Sequence, residues 1–345
     1  DMLNEAVEGL SCMDEENMRE PEDAKISDYD SVTGSYSIIK EDEGTELQED
    51  KVKEAVATAI MSLAESVDLE EQGCYLAPSV TSEDEALKTA CETMNKYVGA
   101  KITYKFGDKA ETLNGNEIHN WLTVNGTSVS VSESKAAEYV KNLASTCNTA
   151  YKPKTLKTSY GKTVTITTGN YGWKIDQEKE TDGLMNAILS GQTDVRTPVY
   201  EQEAKERDSN DIGYTYIEVD KENSQFILYV DGNPVIQTTG ISGSIENGVY
   251  SLKKPVSEED GKNWCLPFGS GQCIYGAEMD ISDETSDLDT AEETDSVEDL
   301  QIDDLEELLS DPAPVPEEDG CFAIPEDSAR DAFSQCKKGM PVIIY

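Results

Sequence analysis

Apolar side chains recur at helical spacing through roughly the first 200 residues of this 345-residue chain. The pattern predicts helices over 47–64, from a capping box at 82–85 onward, over 132–146 and up to 189. Short alternating runs between them, including 35–38, 101–106 and 164–167, predict strands. This mixture is typical of small α+β units.

The period of the apolar positions changes to two from Tyr214 onward. Strands are predicted at 215–220, 225–230, 234–239 and 248–252, with hairpin chemistry in the turn at 231–233. Near the end, Gly320-Cys321 precedes a short helical segment and a closing strand at 342–345. The C-terminal part is therefore predicted to be mainly β.

These patterns predict an α+β multidomain chain. We expect a first α+β unit at 1–78, a second at 79–205, and a mainly β domain at 212–345 that carries an acidic insertion at 278–318. Within 278–311, 16 of 34 residues are Asp or Glu and none is Lys or Arg. Such a run repels itself and favours a solvated loop, although its tail at 297–309 has apolar positions for a short helix. A calcium loop is the alternative, but the residue frame of such a loop is not found in it.

Charge excludes two classes of partner. With 71 acidic and 28 basic residues, the formal net charge is −43, which opposes binding to nucleic acid or to an anionic membrane. The sequence shows no long apolar run and no signal-peptide pattern, so we expect no membrane contact within this chain.

Eight cysteines permit two interpretations. An even number fits disulfide bonds in an oxidising compartment, and nearest-neighbour pairing predicts Cys12 with Cys74, Cys91 with Cys147, Cys265 with Cys273, and Cys321 with Cys336. Alternatively, several are ordinary buried thiols. The C-x-x-C spacing typical of zinc or redox motifs is not found, and we expect no cofactor or metal.

The C-terminal motifs resemble those of the L,D-transpeptidases, the cysteine enzymes that cross-link peptidoglycan. The resemblance lies in Gly320-Cys321, in Gly339-Met340-Pro341-Val342-Ile343, and in the strands at 217–220 and 248–250. Residues 102–121, 172–176 and 195–200 resemble the peptidoglycan-binding domain that precedes the catalytic domain in many Gram-positive members, and 1–78 resembles a weaker copy. The resemblance implies two such modules followed by an L,D-transpeptidase-like domain.

At the site implied by this resemblance, one of the expected groups is present and three have changed. Cys321, after Gly320, matches the nucleophile. Tyr275 and Asp319 stand where the family has its two histidines, and Ala323 stands where it has Asn or Arg. A carboxylate at Asp319 opposes thiolate formation, and a phenol is a poor base near neutral pH.

Two residues have alternative roles on the sequence alone. His119, the chain's one histidine, is expected to be an exposed or packed side chain rather than a catalytic base. Cys321 is either a structural cysteine, bridged to Cys336, or the nucleophile of an acyl transfer.

The expected function is that of a cell-wall-associated protein with a degenerate L,D-transpeptidase domain that binds peptidoglycan, stem peptides or a wall enzyme without catalysis. The alternative is an active L,D-transpeptidase that cross-links peptidoglycan through Cys321. The resemblance implies an extracellular or cell-wall location, and we expect anchoring by a segment that precedes this sequence.

Overall fold

A computed structural model describes residues 2–207, 210–279 and 320–345. It divides into two compact units, Asp1–Val140 with Glu178–Thr197, and Lys141–Gln177 with Pro198–Tyr345. The acidic insertion predicted at 278–318 lies outside the described residues except for Glu278 and Met279. The predicted three-part division of the chain stays a prediction.

The helices and strands up to residue 147 are α1 Met2–Glu8, β1 Lys25–Ile26, β2 Ile38–Ile39, α2 Glu49–Met61, α3 Glu85–Val98, β3 Lys101–Phe106, β4 Lys109–Leu113, α4 Gly115–Ile118, β5 Leu122–Asn125, β6 Ser128–Val131 and α5 Glu133–Cys147. Those up to residue 202 are β7 Lys154–Lys157, β8 Thr163–Ile166, β9 Lys174–Ile175, α6 Gln177–Ser190, β10 Thr193–Arg196 and β11 Tyr200–Gln202.

The central helix of the first unit begins two residues later than its sequence signal indicates. The capping box predicts Ser82 as the N-cap of α3, but the side chain of Asp84 accepts hydrogen bonds from the backbone N–H groups of Ala86 and Leu87. Asp is an equally good N-cap, and the carboxylate also faces the positive end of the helix dipole. The capping-box interpretation is therefore wrong, whereas the buried stripe of Ala90, Met94 and Val98 forms as the spacing predicts.

A three-stranded sheet of order β10-β3-β4 lies in the same unit, with β10 parallel and β4 antiparallel to β3. The buried hydroxyl of Tyr104 donates to Glu180 Oε1 at 2.6 Å, and the same carboxylate pairs with Arg196. Burial, followed by the charge of Glu180, raises the pKa of Tyr104. The fully buried Glu180 carboxylate thus has both a neutral and a cationic donor, as a charge in an apolar interior requires.

The second unit contains β7, β8, β9 and β11 and all of the remaining elements. These remaining elements are β12 Tyr216–Asp220, β13 Gln225–Val230, β14 Asn233–Thr239, β15 Ile241–Ser242, β16 Gly248–Ser251, β17 Val256–Glu259, β18 Lys262–Phe268, β19 Gln272–Ala277, β20 Cys321–Pro325, α7 Glu326–Gln335 and β21 Pro341–Ile344.

Two five-stranded sheets build most of this unit, in the orders β14-β13-β12-β21-β16 and β15-β20-β19-β18-β17. Their inward-facing side chains form one apolar cluster, to which Ile217 and Phe226 contribute from the first sheet and Ile274 and Phe322 from the second. The small residues Ala329 and Ala332 of α7 belong to the same cluster. The mixed α and β architecture and the mainly β C-terminal part are confirmed.

The cysteine pairs predicted from spacing do not form. At least one cysteine of each predicted pair has a free thiol. The free thiols are those of Cys12, Cys74, Cys91, Cys265, Cys273, Cys321 and Cys336. Successive side chains of a strand point to opposite faces of a sheet. Cys321 therefore lies on the face opposite Phe322, whereas Cys336 packs in the cluster that contains Phe322. The predicted Cys321–Cys336 bridge would have to cross the sheet.

Within the described residues, the helices are too short or too polar to span a bilayer.

Candidate active site and its thiol face

The candidate nucleophile begins strand β20, which is parallel to β19. In this pairing Cys321 lies opposite Cys273, and Ala323 lies opposite Tyr275. Together with Cys265 of β18 these side chains form a small cluster, which we call the thiol face: Cys265, Cys273, Tyr275, Cys321 and Ala323. The opposite face of the same strands, which we call the core face, consists of Ile274, Phe322 and Ile324.

Gly320 sets the direction of the chain as it enters β20. Its φ of +80° lies in the left-handed region that favours glycine. Its carbonyl accepts the backbone N–H of Cys273 at 3.1 Å, which fixes the start of the parallel pairing. A Cβ at this position would meet its nearest neighbour, Gly271 O, at 3.6 Å, so the requirement for glycine is conformational rather than steric.

Burial dominates the electrostatics of the thiols. Cys321 exposes 6% of its surface and Cys273 exposes 8%, and the two residues are direct partners in the parallel pairing. Burial, and next the neighbouring Cys321 side chain, raises the pKa of Cys273. Burial, and next the carboxylate of Glu259, raises the pKa of Cys265 to about 11, while the ammonium of Lys262 acts in the opposite direction. The neutral thiol is thus the favoured form of both neighbours of Cys321.

Tyr275 occupies the thiol face two residues after Cys273. It is 8% exposed, and the Lys262 ammonium lies 5.9 Å from the centre of its ring. This cation–π arrangement orients a side chain of β18 toward the cluster. The structure therefore brings Cys321, Gly320 and Tyr275 close together, whereas Asp319 lies outside the described residues.

A cavity of about 380 Å³ reaches the thiol face from outside. Its walls include the three cysteines of that face, together with Lys253, Lys254 and Lys262. Glu259 and Asp260 also line it. The lysines are notable in a chain of net charge −43, because they place positive charge beside the candidate nucleophile.

A second cavity of about 640 Å³ lies on the other side of Gly271 and Gln272, which line both cavities. Tyr151, Asn170 and Gly320 are among its other lining residues. Gln272 is 8% exposed, and its Oε1 has no hydrogen-bond partner within the described part of the chain. A buried acceptor without a partner costs free energy.

Several members of this site were not predicted from the sequence. Cys265 and Cys273 appeared only as a predicted bridge, and neither Lys262 nor Gln272 stood out. The alternation of residues along β19 was a signal for the shared face of Cys273 and Tyr275. The pairing of β19 with β20 had no comparable signal, because the long acidic segment separates the two strands in sequence.

His119 lies in the first unit, where its ring stacks on Tyr29 at 4.4 Å between centroids and 7° between planes. The half-buried imidazole is thus engaged in packing, which agrees with the packed role expected of it. Because it is the chain's one histidine, the second unit contains no imidazole.

The family described as "Putative peptidoglycan binding domain" matches residues 80–196. The solved structure of the Ldtfm–avibactam carbamoyl enzyme is similar to this chain with a TM-score of 0.50 and 26% identity, over 75% of this chain and 98% of that one. The protein is L,D-transpeptidase-like.

A second solved structure, a mutant of the Enterococcus faecium L,D-transpeptidase, has a TM-score of 0.48 and 25% identity over 74% of this chain and 98% of that one. Comparison with curated protein sequences gave no match. This chain combines a region that matches a peptidoglycan-binding domain with a mainly β, L,D-transpeptidase-like domain, and this combination supports association with the cell wall.

Proposed function

We propose that this protein binds peptidoglycan at the cell wall and that its L,D-transpeptidase-like domain serves there as a binding or scaffolding module without acyl transfer. The match of residues 80–196 to a peptidoglycan-binding domain supports the first part. The groups around Cys321 support the second part, because they comprise two thiols, a phenol, lysines and two carboxylates but no imidazole.

Acyl transfer by a cysteine requires a thiolate and a group that moves its proton. Burial raises the pKa of the adjacent thiol of Cys273 above its ordinary value, so that thiol is a poor proton acceptor at neutral pH. General-base assistance contributes roughly 10²- to 10⁴-fold to such reactions. A site without it is expected to be slow by about that factor.

The peptidoglycan or stem peptides of the wall are the proposed ligands, and a wall enzyme is a second partner within the same proposal. The resemblance of the motifs to Gram-positive L,D-transpeptidases supports an extracellular setting. The acidic net charge of −43 supports attraction to cationic wall partners and argues against anionic polymers.

The decisive experiment uses avibactam, which forms a carbamoyl enzyme with the similar protein Ldtfm. The full chain is reduced, incubated with avibactam and analysed by intact mass, with Cys321→Ala and Cys265→Ser as matched variants. We expect no carbamoyl adduct on the wild-type protein. A stoichiometric adduct that persists in Cys265→Ser and is lost in Cys321→Ala would reject the non-catalytic proposal.

That outcome would favour the alternative, an active L,D-transpeptidase with Cys321 as nucleophile. One observation supports this alternative, namely that Cys321 lines a cavity of about 380 Å³ together with three lysines. The positive charge of these lysines would attract an anionic substrate to the cavity.

The binding part of the proposal has a separate test. The full chain is mixed with purified peptidoglycan sacculi and sedimented, with insoluble chitin as the control polysaccharide. We expect the protein to sediment with sacculi at physiological salt and to stay in solution with chitin. Equal recovery from both polymers, or from neither, would reject specific peptidoglycan binding.

A further inference from the structure

The thiol face holds a pair of cysteines in register on adjacent strands. Cys273 and Cys321 are direct partners in the parallel pairing of β19 and β20, and both side chains belong to the same cluster. Neighbouring strands lie about 4.8 Å apart, which is within the range of about 4.4–6.8 Å between the Cα atoms of a disulfide. The two residues are already opposite each other in this pairing, so bond formation needs no change of register.

The third thiol of the face is held differently. Cys265 Sγ lies 3.2 Å from the carbonyl oxygen of Lys262, to which it donates. This bond keeps Cys265 on its own hairpin, whereas Cys273 and Cys321 contact each other. Within the described residues, no group of three or more Cys, His, Asp or Glu side chains is arranged to hold a metal ion.

The cavity beside this pair admits a small molecule. All three thiols and the three lysines Lys253, Lys254 and Lys262 line its volume of about 380 Å³. The lysine ammonium groups favour the approach of an anionic molecule. Glu259 and Asp260 at the same cavity oppose this effect, so the net attraction depends on the three lysines outnumbering the two carboxylates.

We propose that Cys273 and Cys321 are a redox-active dithiol that a small anionic disulfide oxidises to an intramolecular disulfide. In the first step, the thiolate of Cys321 attacks one sulfur of the small disulfide. A mixed disulfide forms on Cys321, and one small thiolate leaves. In the second step, deprotonated Cys273 attacks the sulfur of Cys321 and the second small thiolate leaves. Two cysteine protons and two electrons are transferred in total, and the small disulfide becomes two thiols.

The consequence is a reversible block of Cys321. In the oxidised form this sulfur cannot be acylated, and in the reduced form it faces the cavity. The proposal does not depend on the absence of catalysis, since oxidation would switch off an active nucleophile and would equally protect an inactive one from irreversible oxidation.

The test uses the reduced full chain and oxidised glutathione as the anionic disulfide. After incubation and quenching with acid, non-reducing peptide mapping locates every disulfide. We expect one linkage between the peptides of Cys273 and Cys321, a loss of two hydrogen masses from the intact protein, and full reversal by dithiothreitol. A linkage of Cys321 to Cys265 or Cys336, or no linkage, would overturn the proposal.

Matched variants separate the second step from the first. In Cys273→Ser the resolving thiol is absent, so Cys321 is expected to keep one glutathione and the internal linkage is lost. Cys265→Ser should retain the linkage, because Cys265 is held by Lys262. Far-ultraviolet circular dichroism of each variant verifies folding, and a Cys273→Ala variant replaces Cys273→Ser if the hydroxyl disturbs the cluster. Retention of the full two-hydrogen loss without Cys273 would also overturn the assignment.

A second measurement addresses the lysines. Oxidation by the uncharged disulfide of 2-mercaptoethanol is compared with oxidation by glutathione disulfide, in wild type and in Lys253→Gln/Lys254→Gln. We expect the double substitution to slow the anionic reagent severalfold and to leave the uncharged one nearly unchanged. Equal slowing of both reagents would remove the anionic preference from the proposal.

Discussion

Cys321 and Cys336 expose the same fraction of their surface, 6%, yet their surroundings differ in kind. Cys321 lies on the thiol face and lines a cavity that three lysines also line. Cys336 packs in the apolar cluster with Phe322, where burial raises its pKa to about 12. Similar exposure therefore does not mean similar chemistry, because what lies next to the sulfur decides whether a reagent can approach.

The largest expected effect concerns the core face of β20. Phe322 is fully buried between the sheets, so Phe322→Ala should lower the free energy of unfolding by about 3–5 kcal/mol. Cys321→Ala, its neighbour on the thiol face, should cost about 1 kcal/mol or less because its sulfur already borders a cavity. Urea unfolding of both variants checks this. Equal losses would mean that the two faces are packed alike.

Thiol labelling tests the same contrast by rate. With the reduced protein and iodoacetamide, Cys321 should be alkylated on the order of 100-fold or more faster than Cys336, because Cys336 becomes accessible only when the domain opens. Peptide mass spectrometry over a time course gives both rates. Comparable rates in the absence of denaturant would contradict the distinction between the two sulfurs.

An alkaline titration examines Cys336 alone. Its pKa is raised from 9.0 to about 12, so its contribution to stability is complete below pH 9 and is lost as the pH rises from 9 towards about 12. Within that window the Cys336 thiol is ionised in the unfolded chain but still protonated in the folded chain. This group should therefore lower the free energy of unfolding by up to about 1.4 kcal/mol per pH unit. Cys336→Ala should show a correspondingly shallower fall between pH 9 and 11. Parallel curves for variant and wild type would refute the raised pKa.

The smallest expected effect is at Gly320. Its φ of +80° predicts that Gly320→Ala costs about 1 kcal/mol. Gly261, in the hairpin between β17 and β18, has a φ of +78°, and no atom lies within 4 Å of the place that an added Cβ would take. Gly261→Ala is therefore a matched control with the same backbone cost, and chemical denaturation of the two variants should agree within experimental error. A much larger loss at Gly320 would show that the start of β20 depends on more than its backbone conformation.

Much of the local structure could be predicted from the sequence. The strands at 101–106 and 225–230 form with the predicted bounds, and the strand predicted at 234–239 begins one residue earlier, at Asn233. Periodicity reports which side chains share a face, and this property is local. The predicted N-cap of α3 was wrong because the side chains of Ser82 and Asp84 are equivalent hydrogen-bond acceptors, and the sequence offers no basis for choosing between them.

The sequence by itself determined the change from helical to alternating periodicity, the acidic charge, and the presence of Gly320-Cys321 without a histidine beside it. Only the tertiary structure decided which thiols lie next to each other. The parallel pairing of β19 with β20 joins Cys273 to Cys321 across a long acidic segment, and the alternation of β20 turns Cys321 away from Cys336. Spacing along the chain does not encode either result, because both depend on how strands distant in sequence align within a sheet.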